Sequence, residues 1–456
     1  MTTPASPAYP AYPAQAARRA ALMAAMQPGA VAVLTSAPEL LRNNDNDYPY
    51  RHDSALYYLT GFSEPDCALV LLAPGPAGPG QSMLFCRAKN GARELWDGFR
   101  YGPDGARDHF GLDAAAPIDE LDEAMARLLA DAPAMYYALG SSSALDVQVK
   151  TWLHRVRQRG RSGVKAPASA CDLLHLIDEM RVFKDGGEQD LMRRAAVISA
   201  QAHSRAMVAT RPGIAEYAIE AELLYEFRRQ GAQAPAYTPI VAAGANACVL
   251  HYSANNGPVR DGDLVLIDAG CELDGYAADI SRTYPANGRF SAAQAALYDV
   301  VLAAQQAALA AVRPGQRYDA IHAAAVRVLA QGMLDLGLLS RDRHGSLDDV
   351  LANQHYLQFY MHGTGHWLGM DVHDVGSYRD TALPDKAWRA LQPGMVLTVE
   401  PGLYVRPADG VPEQFWNLGI RIEDDVLVTA AGHAVLSDGV PTSRSAIEQL
   451  MAGARA

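Results

Sequence analysis

Short apolar runs alternate with amphipathic stretches over the first third of the chain. AVAVLTS (30–36), CALVLLA (67–73) and SMLFCRA (82–88) are brief, aliphatic and bounded by turn-forming or polar positions, the pattern of buried strands. IDELDEAMARLLADA (118–132) instead repeats its apolar residues at helical spacing. Strands alternating with helices predict an α/β domain. Between 160 and 187 the chain turns polar and Gly-rich, in RQRGRSGVKAPASA and then KDGGEQD. That shift sets a domain boundary near 174, with an N-terminal α/β domain over 1–174 and a second domain over 175–456.

The second domain carries a weak internal repeat. Helical patterns at 187–209 and 215–230 precede strand-like GDLVLIDAG (262–270), and patterns at 291–312 and 318–337 precede strand-like GMVLTVEPG (394–402). Ser291 and Gln294 open the third helix as a capping box. In both strands a Gly is followed six positions later by a carboxylate, Asp268 or Glu400, then by any residue and Gly. Matching flanks of paired helices favour duplication over coincidence.

Composition narrows the class. With 456 residues, 49% hydrophobic and 20% charged, the chain reads as a soluble globular protein of two domains. A formal charge of −12 offers no basic footprint for nucleic acid. The five cysteines are scattered without a C-x-x-C pair, which suits a reducing cytoplasm. Prolines stand where a signal peptide needs an apolar core, and the first dozen residues resemble a flexible Pro/Ala tail. The longest apolar run, CALVLLAP, is too short to span a bilayer, so a cytoplasmic protein with no membrane partner is expected.

Acidic side chains in apolar surroundings are the sharpest chemical signal. Asp274-Gly275 between β-like runs is a strong two-residue hairpin turn. Closing it pairs Leu273 with Tyr276 and Gly270 with Asp279, which puts Asp268 diagonally from Asp279 on one face. Two such carboxylates repel unless a cation lies between them, or unless that face is simply solvated. In GIRIEDDVLV (419–428), Ile420 and Ile422 face one way and Arg421 and Glu423 the other. Arg421 is then either a salt-bridge partner of Glu423 or a group that orients a ligating carboxylate.

MHGTGHWLGMDVHDVG (361–376) adds three histidines within twelve positions, His362, His366 and His373. The H-x-x-x-H spacing matches a zinc helix, but no Glu follows His362, and Gly363 and Gly365 disfavour a helix. One ligand and two helpers is the expected split, and spacing leaves open which is which. Asp268, Asp279, Glu400 and Glu423 bring four negative charges, which two divalent cations would balance. Oxygen-rich ligation suits Mn²⁺, with Co²⁺, Fe²⁺ or Zn²⁺ as alternatives. Two ions about 3.5–4 Å apart can share a bridging water acidified to hydroxide and polarise a carbonyl.

Set in IDAG, AADISRT, HGTGHWLG, TVEPGLY and IRIEDD, the order Asp268, Asp279, His366, Glu400, Glu423 resembles the aminopeptidase P / prolidase branch of the pita-bread metallopeptidases. RNNDNDYPYRHDSALYYLTGF (42–62) and ELWDGFRYG (94–102) are similar to the N-terminal domain of bacterial aminopeptidase P. The resemblance implies an α+β catalytic domain in which pseudo-twofold duplicated helices lie over a curved antiparallel sheet. It implies metal ligation by Asp268, Asp279, His366, Glu400 and Glu423. It places His251, His362 and His373 around the substrate, with Tyr404 and Arg421 close by and Glu400 as a proton carrier. Gly365, often Ser in relatives, would alter loop stiffness but no chemistry.

The implied function is release of an N-terminal residue that precedes proline, through a hydroxide bridging two metals. A prolidase restricted to Xaa-Pro dipeptides and a non-catalytic pita-bread binding protein are the alternatives. The resemblance also implies a homo-oligomer, tetramer or dimer, in which the N-terminal domain caps the site and Trp96 reaches a neighbouring subunit's site. A place for Trp96 in the protein's own core or at the domain interface is the competing expectation. Arg181, in MRVFK, matches a family motif with an interdomain, surface or catalytic role open.

Overall fold

The structure is a computed structural model that describes residues 13–76 and 78–453, so the expected Pro/Ala tail lies outside the described residues. The chain divides into two compact units, the first closing at Met180 and the second opening at Arg181.

The first unit is built on a mixed six-stranded sheet in the order Ala114–Pro117, Gln81–Cys86, Ala68–Leu72, Val31–Thr35, Ala134–Tyr137, Ser169–Asp172. The three strands expected from sequence form adjacent antiparallel pairs, and the outer neighbours join in parallel. Their runs are apolar without alternation because both faces are covered. On one face, helices Leu121–Leu128 and Ser143–Gln158 set Met125, Val149 and Trp152 against Val31, Val33 and Val70. The helix expected over 118–132 is shorter. It begins as a 3₁₀ turn at Ile118–Glu120 and stops at Leu128, ahead of Asp131 at φ 61°.

The polar stretch 160–187 is more structured than its composition suggests. It contains the strand Ser169–Asp172 and the helix Leu174–Val182. KDGGEQD is a helix start, with Asp185 and Glu188 forming a reciprocal capping box for Gly186–Ala209. Two glycines at the first helical positions mask that signal in the sequence.

The second unit repeats one plan twice. Helices Gly186–Ala209 and Glu216–Arg229 pack together and lead into antiparallel strands Ile240–Ala243, Leu264–Asp268 and Ser281–Pro285. Helices Ala292–Ala311 and Asp319–Asp335 pack together and lead into Val396–Val399, Gly402–Val405, Leu418–Arg421 and Asp424–Thr429. Ser291 and Gln294 form the expected capping box. Asp268 ends its strand, and Glu400 directly follows Val399, so the two carboxylates hold matching positions in the two halves.

The halves join along a buried seam. The Arg421 amide donates to Thr283 Oγ1, whose hydroxyl donates back to the Arg421 carbonyl, both at 3.1 Å. The Glu423 amide donates to the Ser281 carbonyl at 3.0 Å. GIRIEDDVLV is therefore two strands rather than one. It pairs with Gly402–Val405 up to Arg421, changes partner, and from Asp424 pairs with Val396–Val399. Among the described residues no helix is long and apolar enough to cross a membrane.

Candidate metal centre

The hairpin turns at Asp274-Gly275, with φ of 50° and 81°, the positive pair a type I′ turn requires. Leu273 faces Tyr276, and five residues further out Asp268 still faces Ser281, so the register never slips. Asp268 and Asp279 consequently share a face. Tyr237 sits between them, its hydroxyl 2.6 Å from Asp268 Oδ1 and 2.5 Å from Asp279 Oδ1. With one proton to give, that hydroxyl serves one carboxylate at a time.

The histidine segment is irregular, as its glycines predict. It runs beside Val396–Val399, where the Thr398 amide donates to the His366 carbonyl at 2.9 Å and the His366 amide donates to Thr398 Oγ1 at 3.1 Å. Gly365 makes that approach possible, since a Cβ there would lie 2.0 Å from the Thr398 carbonyl oxygen. Its role is therefore steric, and it bears directly on where His366 stands.

His366 donates from Nδ1 to the Trp367 carbonyl at 2.9 Å, which turns Nε2 inward. Nε2 lies 3.3 Å from Asp279 Oδ2 and 3.9 Å from Glu400 Oε1. Ligand atoms of Asp279, His366 and Glu423 all fall within 4.8 Å of one another, a span that a single cation can draw closed. Asp268 stands beside this trio with one oxygen toward Tyr237 and the other, Oδ2, 2.5 Å from Arg421 Nη2.

Arg421 links the rest. Its Nε donates to Ser281 Oγ at 2.9 Å, and that hydroxyl donates to Glu423 Oε2 at 2.7 Å. Its Nη1 donates to the Tyr404 hydroxyl at 3.0 Å, which lies 2.9 Å from His362 Nε2. Arg421 thus pairs directly with Asp268, not with Glu423 as the salt-bridge alternative had it, and is linked to Glu423 through Ser281. His362 Nδ1 donates to the Gly363 carbonyl at 2.7 Å, leaving Nε2 to accept from Tyr404. Burial, reinforced by the charge of Arg421, pushes the His362 imidazole down to about 3, so it is neutral at physiological pH.

Charge in this cluster is unbalanced. Burial pushes the Asp268 and Glu423 carboxyls up, aided by neighbouring carboxylates, and pushes Glu400 up to about 7. Burial alone would lower His366 and raise Asp279. Their mutual hydrogen bond and charge overcome it, bringing His366 up to about 9 and holding Asp279 below the usual carboxylate range. A proton on His366 and the Arg421 guanidinium are the positive charges facing four carboxylates. A donor set of one imidazole and four carboxylates, short of cations, fits divalent metal.

His373 and His251 stand at the exposed side. The His373 ring is 4.1 Å from that of His366, and His251 is close enough to both His362 and His373 to lower their pKa values. Trp96 lies in the first unit on the short helix Gly91–Asp97, 85% exposed, which rules out a place in that unit's core.

Sequence reasoning missed Tyr237 and Asp425. Tyr237 has no local signal, because its partners lie more than thirty residues downstream. Asp425 takes the Asp279 amide on both oxygens, at 3.1 and 3.2 Å, and is 1% exposed. Its place two residues beyond Glu423 in a buried run was the available clue.

A buried set of carboxylates around one imidazole, held between two copies of one helix-and-strand plan, is the donor set of a metal-dependent protein. The chain belongs to metallopeptidase family M24, which it matches over residues 190–430, in the aminopeptidase P branch, whose N-terminal domain it matches over residues 15–137. It is 44% identical to the Xaa-Pro aminopeptidase of Escherichia coli (strain K12) over 435 residues, 95% of this chain and 96% of that one. The structure of Pseudomonas aeruginosa aminopeptidase PepP superimposes with a TM-score of 0.94 at 47% identity, over 98% of this chain and 99% of the other. Zinc-substituted E. coli aminopeptidase P in complex with product gives a TM-score of 0.93 at 43% identity, with the same coverage.

Proposed function

We propose that the protein is an Xaa-Pro aminopeptidase, releasing the N-terminal residue from peptides with proline in second position. The carrying observation is the convergence of Asp268, Asp279, His366, Glu400 and Glu423 in one buried cluster, with three further histidines beside it. Those five residues would hold two divalent ions, Mn²⁺ being the best match to an oxygen-rich set. When bound, such a pair supplies Lewis acidity toward the scissile carbonyl and lowers the pKa of a water.

The chain's own groups do the rest. Glu400 lies against His366 and His362, where it can carry a proton toward the leaving nitrogen. His251, His362 and His373 line the open side and hydrogen-bond the peptide. Tyr404 and Arg421 hold His362 and Asp268 in place from behind. The bond cleaved is a tertiary amide with no N–H on proline, so the pocket recognises ring shape rather than a donor. Exposed Trp96 contributes to a neighbouring copy's site in a tetramer or dimer, and the enzyme works in the cytoplasm without membrane or nucleic-acid partners.

Removing metal by chelation and restoring Mn²⁺, Co²⁺ or Zn²⁺ tests the reading on an Xaa-Pro-Yaa tripeptide, with an Xaa-Pro dipeptide in parallel. Metal-dependent release of the first residue from the tripeptide is expected. Activity confined to the dipeptide would replace this reading with a prolidase, and full turnover without metal would overturn it.

A further inference from the structure

Behind the histidine segment lies a compact ion cluster. Arg181 Nη2 donates to Asp374 Oδ1 at 2.6 Å and to Asp371 Oδ2 at 2.8 Å, while Lys184 Nζ donates to Asp374 Oδ2 at 2.8 Å. The side chains of Arg181, Lys184 and Asp374 are 4%, 2% and 1% exposed. The chain closes directly onto this cluster, since a Cβ on Gly369 would fall 2.1 Å from Asp374 Oδ2.

His373 stands between the two carboxylates that Arg181 grips. Residues 361–376 contain no helix or strand, so side-chain and backbone tethers set their path. The Asp374 amide donates to the Trp367 carbonyl at 2.9 Å, and the Gly369 amide donates to the Asp371 carbonyl at 3.2 Å. Both tethers run through residues that Arg181 holds. Desolvation offsets most of what a buried ion cluster contributes to stability, but its geometry fixes each partner's place.

We propose that Arg181 is a positioning residue for His373, fixing the carboxylates on either side and so setting where the imidazole stands beside His366. The proposal rests on the reading of His373 as a substrate-handling group. Arg181 touches neither substrate nor metal in this scheme and acts through the loop. Lys184 supports it by occupying the second oxygen of Asp374.

A double-mutant cycle tests it, with Arg181→Gln and His373→Ala alone and combined, in Mn²⁺-reconstituted enzyme on an Xaa-Pro-Yaa tripeptide. kcat, KM and bound metal are measured for each variant. Arg181→Gln should lower kcat/KM by about 10–100-fold at unchanged metal content. In the His373→Ala background the same change should cost no more than about twofold. Asp371→Asn, at a residue 38% exposed, gives a milder second arm should the Arg181 variant fail to fold. Its smaller loss should likewise vanish without His373. Additive losses with His373→Ala itself impaired would overturn the positioning role and leave the His373 reading standing. Wild-type kinetics for His373→Ala would overturn that reading and this proposal with it.

Discussion

Stripping metal from this protein should leave a proton in its place, held with a strength the site geometry defines. His366 Nε2 lies 3.3 Å from Asp279 Oδ2. Burial opposes the charged imidazole, yet Asp279 and Glu400 together bring its pKa from 6.5 up to about 9. A cation arriving at Nε2 must displace that proton. Across the interval from 6.5 to about 9, at about 1.4 kcal/mol per unit, the penalty at the acid end is about 3–4 kcal/mol, or roughly 300-fold in affinity. Titration calorimetry of Mn²⁺ into chelator-dialysed protein, in buffers of different ionisation enthalpy at pH 7.5, counts the protons released. His366 should release about one proton, to which any protons held on the raised Glu400 and Glu423 carboxyls add, with affinity rising steeply toward pH 9. Fold stability follows the opposite direction. A raised histidine pKa stabilises the metal-free protein fully below pH 6.5, and that contribution is lost as pH climbs through about 9. Denaturant midpoints of the metal-free protein should therefore fall across this window, and fall less in His366→Gln. Affinity flat from pH 6.5 to 9 with no proton released would refute the reasoning.

Other substitutions probe the same cluster. Arg421→Met leaves the buried Asp268 carboxylate without its 2.5 Å partner and should cost about 3–5 kcal/mol in urea unfolding; an unchanged midpoint would show that the pair is dispensable. Tyr237→Phe removes the hydroxyl between Asp268 and Asp279 and should destabilise the metal-free protein by about 1–3 kcal/mol, read in the same way. His362→Gln should leave the kinetic pKa values between pH 5 and 9 in place, because this imidazole is neutral throughout that range; loss of one of them would contradict its depressed pKa. Gly365→Ala would bring its Cβ to 2.0 Å from the Thr398 carbonyl oxygen, so His366 must shift and bound metal, measured by elemental analysis, should fall.

Much of this site was legible because strand pairing is a local rule. The Asp274-Gly275 turn fixes the hairpin register, and the register alone puts Asp268 and Asp279 on one face. The three N-terminal strands were equally plain, since runs buried on both faces need no long-range information. Where contacts cross the chain, the sequence was silent. Nothing near Arg421 reveals that its partner is Asp268 rather than Glu423, or that the strand changes neighbours between them. Tyr237 reads as a loop aromatic until the hairpin folds against it. The capping box at Asp185 was hidden by composition, two glycines making a helix start look like a linker.

The seam between the halves has a bearing on ancestry. Asp268 and Asp279 come from one side of it, Glu400 and Glu423 from the other, and under the proposed ligation neither pair alone would supply enough donors for two ions. If both halves descend from one shorter gene product, that progenitor had to associate with its twin before it could hydrolyse anything. Fusion would then have released the copies from sameness. One could keep its aspartates on the arms of a hairpin while the other grew the histidine segment, a specialisation closed to a symmetric pair.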